Sequence, residues 1–255
     1  MKQQAKDHPA IRELISGLER ALGERLLAVV LYGPAARDDA PHAETDLHLM
    51  VLLRDLSLGT LADARAPILR WVGKNLPIPR LFSPVTLAGA ADVFPIELGD
   101  VADCHQVLHG ADPLATMPEI DSEHLRLQCE RELREKLMRL REAYIVARGK
   151  DRDLERLMVS SFPAFTMIFR GCLRLHGDAV PAGDGEAAAA FCKSAGIDPA
   201  PLAAVDRLRH GQADGASMSE LFARYYETLD RAVDAIDEFV HRAPEAARET
   251  RSESP

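Results

Sequence analysis

The first half of the chain alternates between helix-like and strand-like runs of apolar residues. Apolar residues near the N-terminus recur at helical spacing, whereas the next apolar run is continuous, as in a strand buried on both faces. A second continuous run follows a polar loop. The predicted elements of this half are, in order, a helix over 9–21, strands over 26–32 and 46–53, a helix over 61–76, a short strand or turn over 85–91 and a third strand over 93–101.

The second half of the chain has a helical pattern throughout. Cys129, Leu133, Leu137 and Leu140 follow the four-three spacing that is typical of a seam along which one helix packs on another. Pro163 falls inside a later helical stretch and predicts a kink or a break there. The predicted helices of this half cover 122–148, 152–175, 186–194, 201–209 and 217–241.

The change of pattern after Pro118 predicts two domains and the α+β fold class. We expect a small mixed-sheet α/β domain over 1–118 and an all-helical bundle over 119–242. Residues 243–255 are rich in Pro, Glu, Arg and Ser, so they are predicted to form a disordered tail.

Composition and charge narrow the classes of function. The chain of 255 residues carries a formal net charge of -9, and an acidic surface repels phosphate backbones, so we expect no broad nucleic-acid binding. The four cysteines form no C-x-x-C pair, which favours free thiols in a reducing cytoplasm over a zinc knuckle or a disulfide framework. No apolar run reaches membrane-spanning length, so no membrane partner is expected.

The loop between the first two strands carries the candidate chemistry. It begins at Gly33 and Pro34, contains Arg37, and ends at Thr45 and Asp46. A glycine lets the backbone approach a phosphate, and a carboxylate is a ligand that Mg²⁺ prefers. The whole segment, LAVVLYGPAARDDAPHAETDLHLMVLL, resembles the active-site hairpin of the nucleotidyltransferase superfamily, in which one strand ends in Gly-Ser and the next carries Asp-x-Asp.

The resemblance continues downstream of the hairpin. The stretches VFPIELGDVADCHQVLHGADP and HLRLQCERELREKLMRLREAY are similar to a subfamily of uncharacterised bacterial nucleotidyltransferase-domain proteins with a helical C-terminal half. The resemblance implies a DNA polymerase beta-like fold, Mg²⁺ and a nucleoside triphosphate. It implies Asp46 as metal ligand, Glu97 or Asp100 as the third catalytic carboxylate, and a nucleotide-binding set of Gly33, Pro34, Arg37, Thr45 and His48.

Two positions depart from the pattern of the superfamily. Pro34 stands where a serine is expected and offers neither a hydroxyl nor a backbone N–H to a phosphate. His48 stands where the second aspartate is expected, and a neutral imidazole is a poor ligand for Mg²⁺. These substitutions predict a degenerate nucleotidyltransferase that transfers weakly or not at all and acts through binding or regulation. The alternative is an active Mg²⁺-dependent enzyme that moves a nucleoside monophosphate from a triphosphate to a small molecule or a protein.

A second candidate motif lies in the helical half. Arg170 and His176 match the loose spacing of arginine and histidine in the HEPN family of helical ribonucleases, which associate with minimal nucleotidyltransferases. Gly171 lacks the polar side chain that usually follows the arginine, and His176 directly precedes Gly177, as residues at helix ends often do. The pattern favours a structural role. A third hypothesis is an assembly module in which the helical half forms a homodimer or binds a HEPN-like partner.

Overall fold

The structure of this protein is a computed structural model that describes residues 8–36, 47–147, 150–212, 215 and 217–241. The chain forms two compact units, with the boundary between Asp121 and Ser122. The first contains a four-stranded sheet with helices, and the second is built from helices in its described residues. The α+β class is therefore confirmed, while the predicted tail over 243–255 lies outside the described residues.

The first unit is a mixed sheet with helices on both faces. The strand order is β3-β2-β1-β4, with β1 antiparallel to both β2 and β4, and β3 parallel to β2. Its elements are α1 (Pro9–Leu22), β1 (Leu26–Tyr32), β2 (His48–Leu53), α2 (Leu58–Val72), β3 (Arg80–Phe82), α3 (Pro84–Ala90), α4 (Pro95–Asp103) and β4 (His105–Gly110).

One face of the sheet, which we call the first face, packs against α1 and α2. Val29 and Leu31 of β1 are fully buried there together with Leu18 of α1. The two helices approach so closely that a Cβ atom added at Gly17 would lie 2.8 Å from the Cβ atom of Pro67. A glycine is therefore needed where α1 crosses α2.

The opposite face, which we call the second face, packs against α3 and α4. Val30 of β1 and Met50 of β2 contribute to a core that also contains Leu87 of α3 and Leu98 of α4. Side chains alternate between the two faces along each strand. Both central strands are thus buried on both sides, as the continuous apolar runs predict.

The short strand or turn predicted over 85–91 and the strand predicted over 93–101 are wrong, because both segments are mainly helical. Ser83 caps α3 by accepting a hydrogen bond from the N–H of Thr86, and Pro84 occupies the first turn. Pro95 likewise begins α4, where its fixed φ favours a helix start. The apolar residues of α4 are buried one turn apart, which a short run cannot distinguish from a strand.

The second unit consists of five helices in its described residues. The seam that begins at Cys129 is buried as far as Leu140 and packs against helices of the same unit. Pro163 lies within a single continuous helix, so the predicted break is absent. The helices are α5 (Ser122–Ala147), α6 (Asp151–His176), α7 (Asp184–Ala195), α8 (Ala200–Arg209) and α9 (Met218–His241).

The cysteines are all free thiols. Within the described ranges, no helix is both long enough and apolar enough to pass through a bilayer.

Candidate functional site

The loop that follows β1 starts with a sharp turn at Gly33. Its φ is 75°, in the left-handed region that favours glycine. The chain then enters a 3-10 turn over Pro34–Ala36, in which the N–H of Ala36 donates to the carbonyl of Gly33 at 3.0 Å. The thiol of Cys104 donates to the carbonyl of Ala36 at 3.4 Å. The turn is therefore attached to the junction between α4 and β4.

His48 starts β2 and lies directly beside this turn. It pairs with Tyr32 in the β1–β2 ladder, and the two ring centroids are 5.8 Å apart. The Cδ2 atom of His48 would be 3.4 Å from a Cβ atom placed on Gly33. The imidazole therefore occupies the space beside the glycine, and the role of these two residues in nucleotide binding stays a prediction.

Three residues form a row across the sheet, which we call the hairpin end. His48 pairs with Tyr32, and Tyr32 pairs on its other side with His105 of β4. Directly paired residues project to the same face, and Tyr32 packs against the core of the second face. The Nδ1 atom of His105 lies 3.0 Å from the carbonyl oxygen of Val101, so it anchors β4 to α4.

Arg80 adds a positive charge on the same face. It pairs with Met50 in the parallel β2–β3 ladder, and Phe82, two residues further on, packs in the core of the second face. His48 precedes Met50 by two residues, which places its Cα roughly 8 Å from that of Arg80. Burial raises the pKa of the Tyr32 hydroxyl, and the positive charge of Arg80 partly opposes that rise.

The four described strands carry no aspartate or glutamate at any position. The resemblance to the nucleotidyltransferase hairpin implies a carboxylate on a strand beside β2, but the residues of β3 that share a face with His48 are Arg80 and Phe82. In the described ranges no group of three or more His, Cys, Asp or Glu side chains could hold a metal ion. The described residues therefore do not fit a Mg²⁺ site.

Glu97 and Asp100 lie on helix α4 rather than on a strand. Glu97 falls in the first turn of this helix, where a negative charge is favourable near the helix N-terminus. Both side chains are half-buried. Their predicted placement on a strand is wrong, and their role as the third carboxylate stays a prediction.

Three of the residues that the sequence singled out lie outside the described residues: Arg37, Thr45 and Asp46.

Sequence reasoning missed Arg80 and the flanking His105. Arg80 follows two prolines and stands in a strand of only three residues, which is too short for any periodicity to appear. The only available signal was a lone cation between Pro79 and a Leu-Phe pair. Neither residue belongs to a recognisable motif, because strand pairing on opposite sides of the hairpin places each of them.

The second candidate motif has a structural explanation. The side chain of Arg170 is buried and donates to the carbonyls of Pro181 at 3.1 Å and Ala182 at 2.6 Å, and to Asp184 at 2.8 Å. Gly177 ends the helix in the left-handed conformation directly after His176. The arginine therefore holds the loop that enters α7, as the preference for a structural role over a HEPN-like one predicts.

Comparisons with known proteins agree with this fold. No protein-family model and no curated protein sequence matches the chain. Among solved structures, the chain is similar to the spectinomycin adenyltransferase AAD(9) from an Enterococcus species, determined with ATP and spectinomycin. The TM-score is 0.53 at 11% sequence identity, and the match covers 89% of this chain and 98% of that chain. The chain therefore shares the fold of this adenyltransferase structure.

Proposed function

We propose that this chain is a binding or regulatory protein with a nucleotidyltransferase fold and a site that transfers a nucleotidyl group weakly or not at all. The observation that carries the proposal is the composition of the second face at the hairpin end. His48 and Arg80 occupy this face, whereas none of the described strands offers a carboxylate.

The chemistry of nucleotidyl transfer explains why this composition matters. Divalent ions clamp the triphosphate and neutralise the charge that develops in the transition state, and carboxylate oxygens hold those ions. An imidazole in place of one carboxylate removes a hard ligand and a negative charge. Pro34 further removes an N–H and a hydroxyl that could bind phosphate oxygens. Of the two aspartates in the Asp-x-Asp pattern, only Asp46 would then be left to bind a metal ion.

The class of ligand follows from the fold and its neighbour. AAD(9) was determined with ATP and spectinomycin. For this chain we propose a nucleoside triphosphate or a related phosphate-bearing small molecule as ligand, with Mg²⁺ contributing little to its binding. A cytoplasmic location and a homodimer through the helical half stay predictions.

Calorimetry with Mg-ATP tests the loss of metal-dependent chemistry. We expect the wild-type chain to bind Mg-ATP with a dissociation constant of about 1 mM or weaker. The double variant Pro34→Ser, His48→Asp restores the pattern of the superfamily and should bind at least about tenfold more tightly, or about 1.4 kcal/mol. The single variant Pro34→Ser is the matched control that leaves the metal-binding position unchanged.

One outcome would replace this proposal with its alternative. Micromolar Mg-ATP binding by the wild-type chain, abolished by Asp46→Asn, means that Asp46 and a further carboxylate suffice for Mg²⁺. The chain would then be an active Mg²⁺-dependent nucleotidyltransferase.

A further inference from the structure

We infer that the second face beside the hairpin end binds a phosphate group directly and without a magnesium ion. Arg80, together with His48 and Tyr32, would supply the donors. The inference rests on the proposed function and specifies what that site recognises. In the nucleotidyltransferase superfamily, carboxylates hold a cation, and that cation binds the phosphate. Here a cationic side chain stands on the face where the carboxylate is expected.

Arg80 has the properties of a ligand-binding arginine. Its side chain is exposed, and it forms no ion pair with any described residue. Many other arginines among the described residues form ion pairs. Arg25, for example, contacts Asp63 at 2.7 Å. A guanidinium presents its donors in a planar fork that matches two phosphate oxygens. An exposed arginine on the site face that forms no ion pair with a described residue can present its donors to a phosphate.

The neighbours of Arg80 complete a donor set. Burial raises the pKa of Tyr32, so its hydroxyl stays protonated near neutral pH and can donate to a phosphate oxygen. The ring of His48 is held beside it at a centroid separation of 5.8 Å. The same ring lies against Gly33, where an added Cβ atom would be 3.4 Å from its Cδ2 atom, so the imidazole borders the turn.

A magnesium ion would be a competitor at this site. Arg80 repels a divalent cation held near His48, because the two positions are separated by about 8 Å, roughly one Debye length at physiological salt. Mg²⁺ also binds phosphate oxygens and would mask them from the guanidinium. Binding should therefore be at least as strong without Mg²⁺ as with it, the reverse of what an intact metal site shows.

Acidic side chains on α4 act against the inference. Glu97 and Asp100 are acidic residues of a helix that packs on the second face. They reduce the attraction of an anion and favour a compact phosphate group that stays close to Arg80. The measured affinity for an anion gives the net result of attraction by Arg80 and repulsion by these two carboxylates.

The experiment is a calorimetric titration of the full chain with inorganic tripolyphosphate, in EDTA and again with excess Mg²⁺. We expect saturable binding in EDTA, no tightening with Mg²⁺, and a loss of affinity of at least about tenfold in Arg80→Gln. The control is Arg65→Gln, which removes the same charge from an exposed position on α2, a helix of the first face. It should leave the affinity within about twofold, since screening weakens charges at that range.

Three results would overturn the inference: no binding in EDTA, binding that requires Mg²⁺, or equal affinities for wild type and Arg80→Gln. These results differ from a failure of the proposed function, which shows as tight Mg-ATP binding that depends on Asp46. A chain that binds neither Mg-ATP nor metal-free tripolyphosphate keeps the degenerate site and refutes direct phosphate binding by Arg80.

Discussion

Two arginines show how differently the two units of this protein use a positive charge. Arg80 in the sheet unit is exposed and has no ion-pair partner among the described residues. Arg170 in the helical unit is 2% exposed and donates to two carbonyls and to Asp184. A buried charge is tolerated only when it is paired and hydrogen-bonded. Arg170 thus belongs to the fold, whereas Arg80 remains available to a ligand.

The comparison explains why the motif in the helical half is misleading. The spacing of Arg170 and His176 suggests catalysis, yet the partners of Arg170 lie in a loop that follows the helix. Arg80 has no motif around it and nevertheless lies on the site face. The environment of an arginine, rather than its sequence spacing, decides whether its donors can reach a substrate.

The largest expected effect is that of Arg170→Met on stability. Methionine keeps much of the apolar volume but removes every hydrogen bond of the guanidinium and leaves Asp184 with less compensation. We expect a loss of about 3 kcal/mol in the free energy of unfolding, at the lower end for a broken buried pair because Asp184 is partly exposed. Urea denaturation followed by circular dichroism measures it.

The matched control is Arg156→Met on the same helix. Arg156 is exposed and lies 3.9 Å from Asp153, so its ion pair should contribute less than about 0.5 kcal/mol. Equal losses in the two variants would mean that the bonds of Arg170 do not stabilise the unit and would reopen a functional role for it.

The second-largest effect on stability concerns Asp206, a carboxylate of α8. A Cβ atom at Gly185 would overlap the Oδ2 atom of Asp206, whose Oδ1 atom accepts a hydrogen bond from Arg209 at 3.3 Å. Gly185→Ala must displace Asp206, and we expect a loss of about 1–2 kcal/mol in the free energy of unfolding.

Gly89→Ala in the sheet unit tests a helical glycine whose replacement should stabilise the chain, in contrast to Gly185→Ala. No atom lies within 4 Å of a Cβ atom placed there, so alanine should stabilise the chain by about 0.5–1 kcal/mol through its higher helix propensity. Thermal unfolding of both variants should give shifts of opposite sign. Shifts of the same sign would contradict the packing inferred at Gly185.

How much of the fold the sequence predicts depends on the length of each element. Both central strands and all five helices of the second unit follow from long apolar patterns. The three-residue β3 and the short α3 and α4 do not, because capping and proline positions decide such short segments. At the site, Gly33 and His48 follow from the hairpin, but Arg80 depends on the pairing of β2 with β3, which no local pattern encodes.

A smaller effect on stability is expected at Asp55 in the sheet unit, whose hydrogen bonds are more exposed than those of Arg170. The side chain of Ser57, its N–H at 3.0 Å and the hydroxyl of Thr60 at 2.8 Å donate to the carboxylate, and these interactions lower its pKa to about 2. Because the folded pKa lies below the ordinary value of 3.8, its contribution is complete above that value and is lost as pH falls toward about 2.

Asp55→Asn therefore tests a pH dependence rather than a single loss. The difference in stability between wild type and variant should shrink as pH falls from 3.8 to about 2. Acid titrations of the unfolding free energy measure this difference. A difference that stays constant across the window would show that the hydrogen bonds of Asp55 do not depend on its charge.

The smallest expected effect is that of Arg80→Gln on stability, and it is the sharpest test of the comparison. An exposed side chain without an ion pair among the described residues contributes little to folding, so the free energy of unfolding should change by less than about 0.5 kcal/mol. The control Arg65→Gln should behave alike. A loss above about 1 kcal/mol in Arg80→Gln alone would make Arg80 a structural residue like Arg170. Any loss of phosphate binding would then follow from a disturbed sheet, whereas unchanged stability assigns it to the guanidinium itself.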